Sequence, residues 1–368
     1  MSFQHCKIIG AAVDSTAYHA AQTAPRGSKE FVMSSSGLRK FAHCPQKWLR
    51  GHEQAGTAST LYGNLFDTLA LLPVCLDRKY TVRPATYEKK VLRCPQCGSV
   101  TESKECRKCK VNRVEAVVTQ EWSRLSETCQ LWEAEQEKNG KTVVEQDGSD
   151  KYPGLNQARA AVERLRHDEI LRSFLDDSEK QVHVAGQWAD ERTGVVVPCQ
   201  CLIDLVPEAG TRWRRCLGDL KTARSAYPPF WRAQSRDMGY NVQAAWNLGM
   251  YNAATGEGRE TFCFLISENS HPWEIGREMM TFGQEGDQRN SKLDLGRIMY
   301  ESWMDWYCGC LAENRWPGYD DTPESVDGWS LDFADARDEA AAMRAMELKP
   351  ALAADLEVDV PDNNYLIP

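Results

Sequence analysis

Residues 195–222 read VVVPCQCLIDLVPEAGTRWRRCLGDLKT. The run from Val195 to Val206 is rich in β-branched and apolar residues, Pro207-Glu208-Ala209-Gly210 is a turn signal, and the apolar pattern resumes from Trp213 to Thr222, which predicts two adjacent strands. Side chains alternate faces along a strand, so Asp219 and Lys221 share one face while Leu220 points the other way. The hairpin can bring Asp204 beside Asp219. Two carboxylates held that close repel each other unless a cation lies between them, and their hard oxygens favour Mg²⁺ or Mn²⁺ over zinc. A metal so held acts as a Lewis acid on a phosphoryl oxygen and as a source of hydroxide, with Lys221 placed to orient that water or to stabilise negative charge. Hydrolysis of a phosphodiester fits these residues. The other reading of Asp-x-Lys is a solvated ion pair, which contributes little; the apolar setting of all three charges weighs against it, because unpaired charge is costly there.

Downstream, Asp237 to Tyr251 carries Met238, Val242, Ala245 and Gly249 at spacings of three and four, which predicts a helix packed on the sheet. Gln243 falls beside that stripe, either as a surface amide or as a side chain reaching back to the metal-bound water or to Lys221.

Together these residues resemble the PD-(D/E)xK nucleases, and within them the RecE-like exonucleases (exonuclease VIII group) of phages and prophages. The resemblance runs in order from Ser34-Ser35-Ser36-Gly37-Leu38, with Phe41 and Cys44-Pro45, through LYGNLFDTLALLP at 61–73 and Val82-Arg83-Pro84. It continues through Thr193-Gly194, Asp204, Asp219-Leu220-Lys221-Thr222, Tyr240 to Gln243 and Thr261 to Ser267, and ends at Trp316-Pro317-Gly318-Tyr319. It implies an α/β fold with a restriction-endonuclease-like core, a mixed central sheet flanked by helices. It further implies that Asp204, Asp219 and the main-chain carbonyl of Leu220 ligate Mg²⁺ (or Mn²⁺), with Lys221 and Gln243 in catalytic roles. Where the family's G-x-x-x-H motif has a histidine ligand, Gly63 to Asp67 places Asp67, which makes Asp67 a candidate ligand or a solvent-facing carboxylate. A family glutamate expected between Gln181 and Gln187 is not evident.

The activity implied is exonucleolytic hydrolysis of linear duplex DNA from its ends, 5′ to 3′, leaving 3′ single strands for an annealing protein in recombination. A homo-oligomeric ring is implied as well. The alternatives are an endonuclease or single-strand nuclease of the same fold, and a non-catalytic zinc-containing DNA-binding adaptor of recombination.

Cys94-Pro-Gln-Cys97 and Cys106-Arg-Lys-Cys109 are two C-x-x-C knuckles with Gly98 after the first. Each knuckle can turn two thiolates toward one tetrahedral ion, so the four cysteines are expected to hold a structural Zn²⁺ in a small ribbon inserted over residues 84–120. A redox pair is the alternative. The ribbon's Arg93, Lys104, Arg107, Lys108, Lys110 and Arg113 could track phosphates, or the metal could simply staple a loop too small for its own core. An iron–sulfur cluster using Cys44, Cys308 and Cys310 is a further alternative; the remaining cysteines are expected to be packed thiols.

Arg212, Arg214, Arg215, Arg224, Arg232 and Arg236 interleave with Trp213, Tyr227, Phe230, Trp231 and Tyr240. This suits a nucleic-acid strand passing the metal, and Arg224, Arg232, Arg236 and Tyr240 are the candidate DNA contacts, in a loop expected from Ala223 to Arg236. The net charge of −9 runs against DNA binding. Part of it lies in an acidic tail at 321–368, in which residues 336–348 could form a short helix.

The other expected divisions are a mobile leader at 1–28, an N-terminal helical part at 29–83, a helical region at 121–180 with helices over 121–137 and 156–175, and a catalytic core at 181–320. A closing helix is expected over 293–314. Fourteen cysteines without a signal peptide, and no apolar run near the ~18 residues of a membrane span, lead to the expectation of a cytoplasmic protein.

Overall fold

The computed structural model describes residues 2–20, 23–51, 57–101, 103–148, 154–283 and 291–319. The expected acidic tail and its short helix lie outside these residues. The chain divides into two compact units, residues 1–56 with 164–368, and residues 57–163.

The first unit opens with strand β1 (Ser2–Gly10), followed by α1 (Ser15–Ala20), α2 (Ser35–His43) and α3 (Pro45–Leu49). Residues 2–10 were expected within a mobile leader; they instead pair antiparallel with a later strand. Their amphipathic signal is faint because only Phe3 of the nine is buried. That one ring packs edge-on against Trp188 and Trp246, at centroid distances of 5.3 and 4.9 Å, and holds the strand in place.

The second unit comprises α4 (Ala58–Leu71), α5 (Leu76–Lys79), β2 (Tyr80–Val82), β3 (Thr86–Arg93), β4 (Val100–Thr101), β5 (Val114–Glu121), α6 (Glu127–Lys138) and β6 (Thr142–Val144). The helix expected from residue 121 thus starts later, because β5 continues to Glu121 in register with Thr86 of β3. β3, β4 and β5 form an antiparallel three-stranded sheet that carries the cysteine knuckles, and β2 pairs with β6 in parallel. A small core gathers Tyr62, Leu65, Tyr80, Val144, Leu155 and Ala158. Helix α7 (Leu155–His167) leads back to the first unit. The single helix expected over 156–175 is broken at Asp168, whose carboxylate caps α8 (Glu169–Asp176) by accepting from the Ile170 and Leu171 N–H groups.

Then follow β7 (Ser178–Ala189), β8 (Val196–Pro207), β9 (Cys216–Ala223), α9 (Pro228–Asp237), α10 (Tyr240–Thr255), β10 (Thr261–Glu268), β11 (Ile275–Thr281) and α11 (Lys292–Glu313). The six-stranded sheet has the order β1-β7-β8-β9-β10-β11. It is mixed: β9 and β10 run parallel, joined by the α9–α10 crossover, and the other neighbours are antiparallel. The fold is therefore α/β, with a mixed central sheet flanked by helices and a small cysteine-bearing insertion. The segment 223–236, expected as a loop, contains most of α9, since Pro228 and Pro229 are suited to a first helical turn.

α10 is almost wholly buried, with Val242, Ala244, Ala245, Trp246 and Leu248 each at most 1% exposed. It lies between the sheet and α11, and the crossing is close at Gly296, where a Cβ would meet the Asn241 carbonyl oxygen at 2.2 Å. No helix among the described residues is long and apolar enough to cross a membrane.

Candidate metal centres

β8 and β9 pair through a single register position, Leu205 opposite Gly218. Gly218 is required there, because a Cβ would meet Phe174 of α8 at 2.4 Å. Past that point the strands do not continue as a ladder, and the Leu220 N–H donates to the carboxylate of Asp204 (3.0 Å to Oδ2). The side chain of Asp204 thus stands in for a backbone acceptor. Its other oxygen, Oδ1, accepts from Gln181 Nε2 at 2.7 Å.

Asp219 lies one residue beyond Gly218 and is 2% exposed. Its Oδ1 accepts from Gln243 Nε2 on the first turn of α10 at 2.7 Å, and its Oδ2 forms an ion pair with Lys221. The Lys221 ammonium sits over the Tyr240 ring, 5.1 Å from its centroid, and 6.0 Å from that of Phe264. Burial pulls the Lys221 pKa down, but Asp219, Tyr240 and Asp204 together push it up by more, so it ends above its ordinary value. Lys221 is a cation at neutral pH and has no free pair with which to take a proton. Four of the expected residues, Asp204, Asp219, Lys221 and Gln243, therefore form one connected group.

Gln181 joins them without having been singled out. It is 6% exposed, it adopts φ +50° within β7, and its Oε1 is buried with no hydrogen-bond partner. The orientation of the amide follows from its neighbour: an ionised carboxylate only accepts, so nitrogen faces Asp204 and oxygen is left over. A left-handed backbone at a non-glycine position is uncommon and is seen where function or packing imposes it. No sequence pattern marks it.

Asp67 is half-buried on α4, in the second unit, whereas the Asp204 group is in the first. The main chain of Leu220 enters the site, and its visible part there is the N–H donated to Asp204. Arg224, Arg232 and Arg236 are exposed on and before α9. Tyr240, expected as a DNA contact, is only 8% exposed; it stacks on Trp231 and on Phe264, 5.4 Å from each centroid, and those two rings are themselves 6.1 Å apart, so the three form a triangular cluster. Its ring supports the lysine, and its burial leaves little of it to a base.

The second centre lies in the β3–β4–β5 module. Cys94, Cys97, Cys106 and Cys109 place their sulfurs within 4.8 Å of one another, and they are the one such group of three or more His, Cys, Asp or Glu among the described residues. The two knuckles repeat one backbone pattern. Gly98 N–H donates to the Cys94 carbonyl at 2.9 Å and Lys110 N–H to that of Cys106 at 2.8 Å, with φ of +71° at Gly98 and +56° at Lys110. Arg113 braces them through Ser99, donating from Nη1 to Ser99 Oγ at 3.1 Å.

A tetrahedral ZnS₄ centre with Zn–S near 2.3 Å has sulfurs ~3.8 Å apart, and Cys97 and Cys106 are already 3.6 Å apart. Hydrogen bonding from Ser99 lowers the Cys97 thiol to about 6, while Cys97 and burial push Cys109 up to about 12. Four thiols this close do not all ionise unless a cation joins them, and the site is able to hold one. Cys44, Cys308 and Cys310 form no comparable cluster among the described residues.

No family model matches the chain, and no curated relative does. Among solved structures it is similar to a protein of Eubacterium rectale provisionally assigned as an exonuclease, at 15% identity and a TM-score of 0.48 over 88% of this chain and 95% of that one. It also matches Rai1 of Scheffersomyces stipitis, solved with 3′-NADP⁺ and calcium, at 10% identity and a TM-score of 0.22 over 82% and 71%. At that distance neither speaks to chemistry, which has to be read from the residues themselves.

Proposed function

We propose that the chain is a metal-dependent deoxyribonuclease of the PD-(D/E)xK type, acting on the ends of linear duplex DNA in the manner of the RecE-like exonucleases. One observation carries it: where neighbouring strands part, Asp204 accepts from the Leu220 N–H and from the Gln181 amide, and Asp219, the residue before Leu220, accepts from the Gln243 amide and pairs with Lys221. The two carboxylates present hard oxygen donors, and Gln181 adds a buried oxygen with no hydrogen-bond partner. This hard, oxygen-only donor set fits Mg²⁺ or Mn²⁺.

Asp204, Asp219 and Gln181 would hold the ion, with the Leu220 carbonyl as a further candidate. When bound, the ion supplies Lewis-acid activation of a phosphodiester and of the attacking water. Lys221, charged at neutral pH, stabilises negative charge gathering on the phosphoryl oxygens. Gln243 fixes the Asp219 carboxylate, and Tyr240 and Phe264 hold the ammonium on the side of the site. Cleavage from the 5′ end, a ring assembly and co-operation with an annealing protein follow from the family resemblance and belong to the same proposal.

The test is release of label from linear duplex DNA marked at its 5′ or 3′ end, with Mg²⁺ or Mn²⁺, comparing the native chain with Lys221→Ala. Early, metal-dependent release of the 5′ label that the variant loses is the expected result. Release only from internal sites makes the chain an endonuclease. Binding without any metal-dependent cleavage leaves the non-catalytic adaptor.

A further inference from the structure

α9 presents two aromatic side chains to solvent. Tyr227, at its N-cap, is 60% exposed and Phe230 is 67% exposed, and their ring centroids are 6.0 Å apart. Large rings are not normally left so open on a helix that has an apolar side to turn inward. This helix has one: Trp231 and Ser235 are buried.

The scaffold beneath is anchored at several points. Trp231 Nε1 donates to Glu278 Oε2 at 2.6 Å, Glu278 is ion-paired with Lys292, and the Ala226 N–H donates to Glu268 Oε1 at 2.7 Å. The exposed pair is therefore fixed in position. It also lies close to the Lys221 group: Trp231, whose N–H bonds the Tyr227 carbonyl, stacks on Tyr240, and Tyr240 faces the Lys221 ammonium.

Charge indicates what covers the rings. Residues 224–237 hold Arg224, Arg232 and Arg236 against Asp237 alone, a local excess of two positive charges in a chain of net −9. Among the described residues neither Arg224 nor Arg232 has an acidic partner. Exposed rings with unpaired arginines suit a polyanion carrying planar groups. Within a duplex each base is already stacked on both faces, so only an unpaired or terminal nucleotide can offer a free face.

We propose that Tyr227 and Phe230 form a stacking platform for an unpaired nucleotide at a DNA end, with Arg224 and Arg232 binding the adjoining phosphates. This rests on the nuclease assignment and adds a substrate feature to it, a preference for ends that carry unpaired bases.

The experiment measures fluorescence anisotropy of full-length protein with hydrolysis-resistant phosphorothioate DNA: a blunt duplex, a duplex with a short unpaired tail, and the same tail made abasic. The native chain is expected to favour the tailed duplex over the blunt one by on the order of tenfold. That preference disappears with the abasic tail, which keeps its phosphates, and in Tyr227→Ala/Phe230→Ala, whose side chains are too exposed to be needed for folding. The salt dependence stays native in that variant and flattens in Arg224→Ser/Arg232→Ser.

A double aromatic variant that keeps the tail preference overturns the platform while leaving the nuclease assignment standing. So does one that binds DNA normally but changes oligomeric state on gel filtration, which would make the rings a protein interface. A native chain that binds none of the three DNAs at low salt overturns the nuclease assignment itself.

Discussion

Replacing Lys221 with methionine should expose what holds the site together. The native ammonium neutralises Asp219, a carboxylate 2% exposed whose only other described bond comes from Gln243. At an effective dielectric of 20 and contact distance such a pair is worth ~4 kcal/mol, and removing one partner of a buried pair costs about 3–5 kcal/mol. Methionine keeps most of the length of the side chain and gains sulfur–aromatic contact with Tyr240 and Phe264, which returns ~0.3–1.5 kcal/mol. The net loss is then about 2–4 kcal/mol, or roughly 5–15 °C in melting temperature for a unit of this size.

The pH profile separates this from a simple packing defect. In the native chain the Lys221 pKa is raised on folding, so its stabilisation is complete below the unfolded value of about 10.4 and is lost only as pH climbs through the folded one. Across the neutral range the native ammonium contributes no slope, so the deficit of the variant should be level there and shrink only at alkaline pH, above about 10.4, as the native lysine begins to lose its proton. Differential scanning fluorimetry on both proteins from neutral to alkaline pH makes the measurement. A variant melting within about 1 °C of the native chain at neutral pH would refute the assignment of Lys221 as the buried counter-ion of Asp219.

Other outcomes can be checked independently. Gln181→Gly keeps the left-handed backbone without strain and deletes the amide above Asp204; it should fold, but bind Mn²⁺ on the order of tenfold more weakly by calorimetry or electron paramagnetic resonance, the loss typical of a ligand-orienting group. Gly296→Ala drives a methyl group into the Asn241 carbonyl at the α10–α11 crossing, and should lower the urea midpoint by the equivalent of about 1–3 kcal/mol. Cys106→Ser should abolish the zinc found by elemental mass spectrometry, and hydrogen exchange should rise over residues 86–121 while residues 196–268 keep their protection.

The parts of the fold legible in the sequence were those with a strong period. Val196–Pro207 and Cys216–Ala223 alternate or run apolar, α10 carries a stripe at helical spacing, and the C-x-x-C knuckles announce themselves by spacing. From these, the nearness of Asp204 to the Asp219–Lys221 strand could be anticipated, whereas Gln243, expected at the surface or reaching Lys221 or a metal-bound water, bonds Asp219 instead. β1 could not, because an edge strand with one buried side chain looks like any polar leader. Nor could Gln181, whose importance depends on a backbone angle and a lone amide oxygen that no local pattern encodes. The misreading of Tyr240 has a similar cause. Alternating rings and arginines look alike whether a ring faces solvent or, as here, is buried in a cluster with two others, and only packing shows that Tyr227 and Phe230 are the outward pair.

Because one rung between β8 and β9 is made by a side chain, the Leu220 amide proton doubles as a sensor of the Asp204 carboxylate. Anything that withdraws electron density from that carboxylate weakens the rung, so occupancy of the centre should be readable as a chemical-shift change or faster exchange of one backbone proton, without substrate and without turnover. The same coupling governs the choice of an inactive control: Asp204→Asn can keep an acceptor for Leu220, whereas Asp204→Ala opens the sheet along with the site.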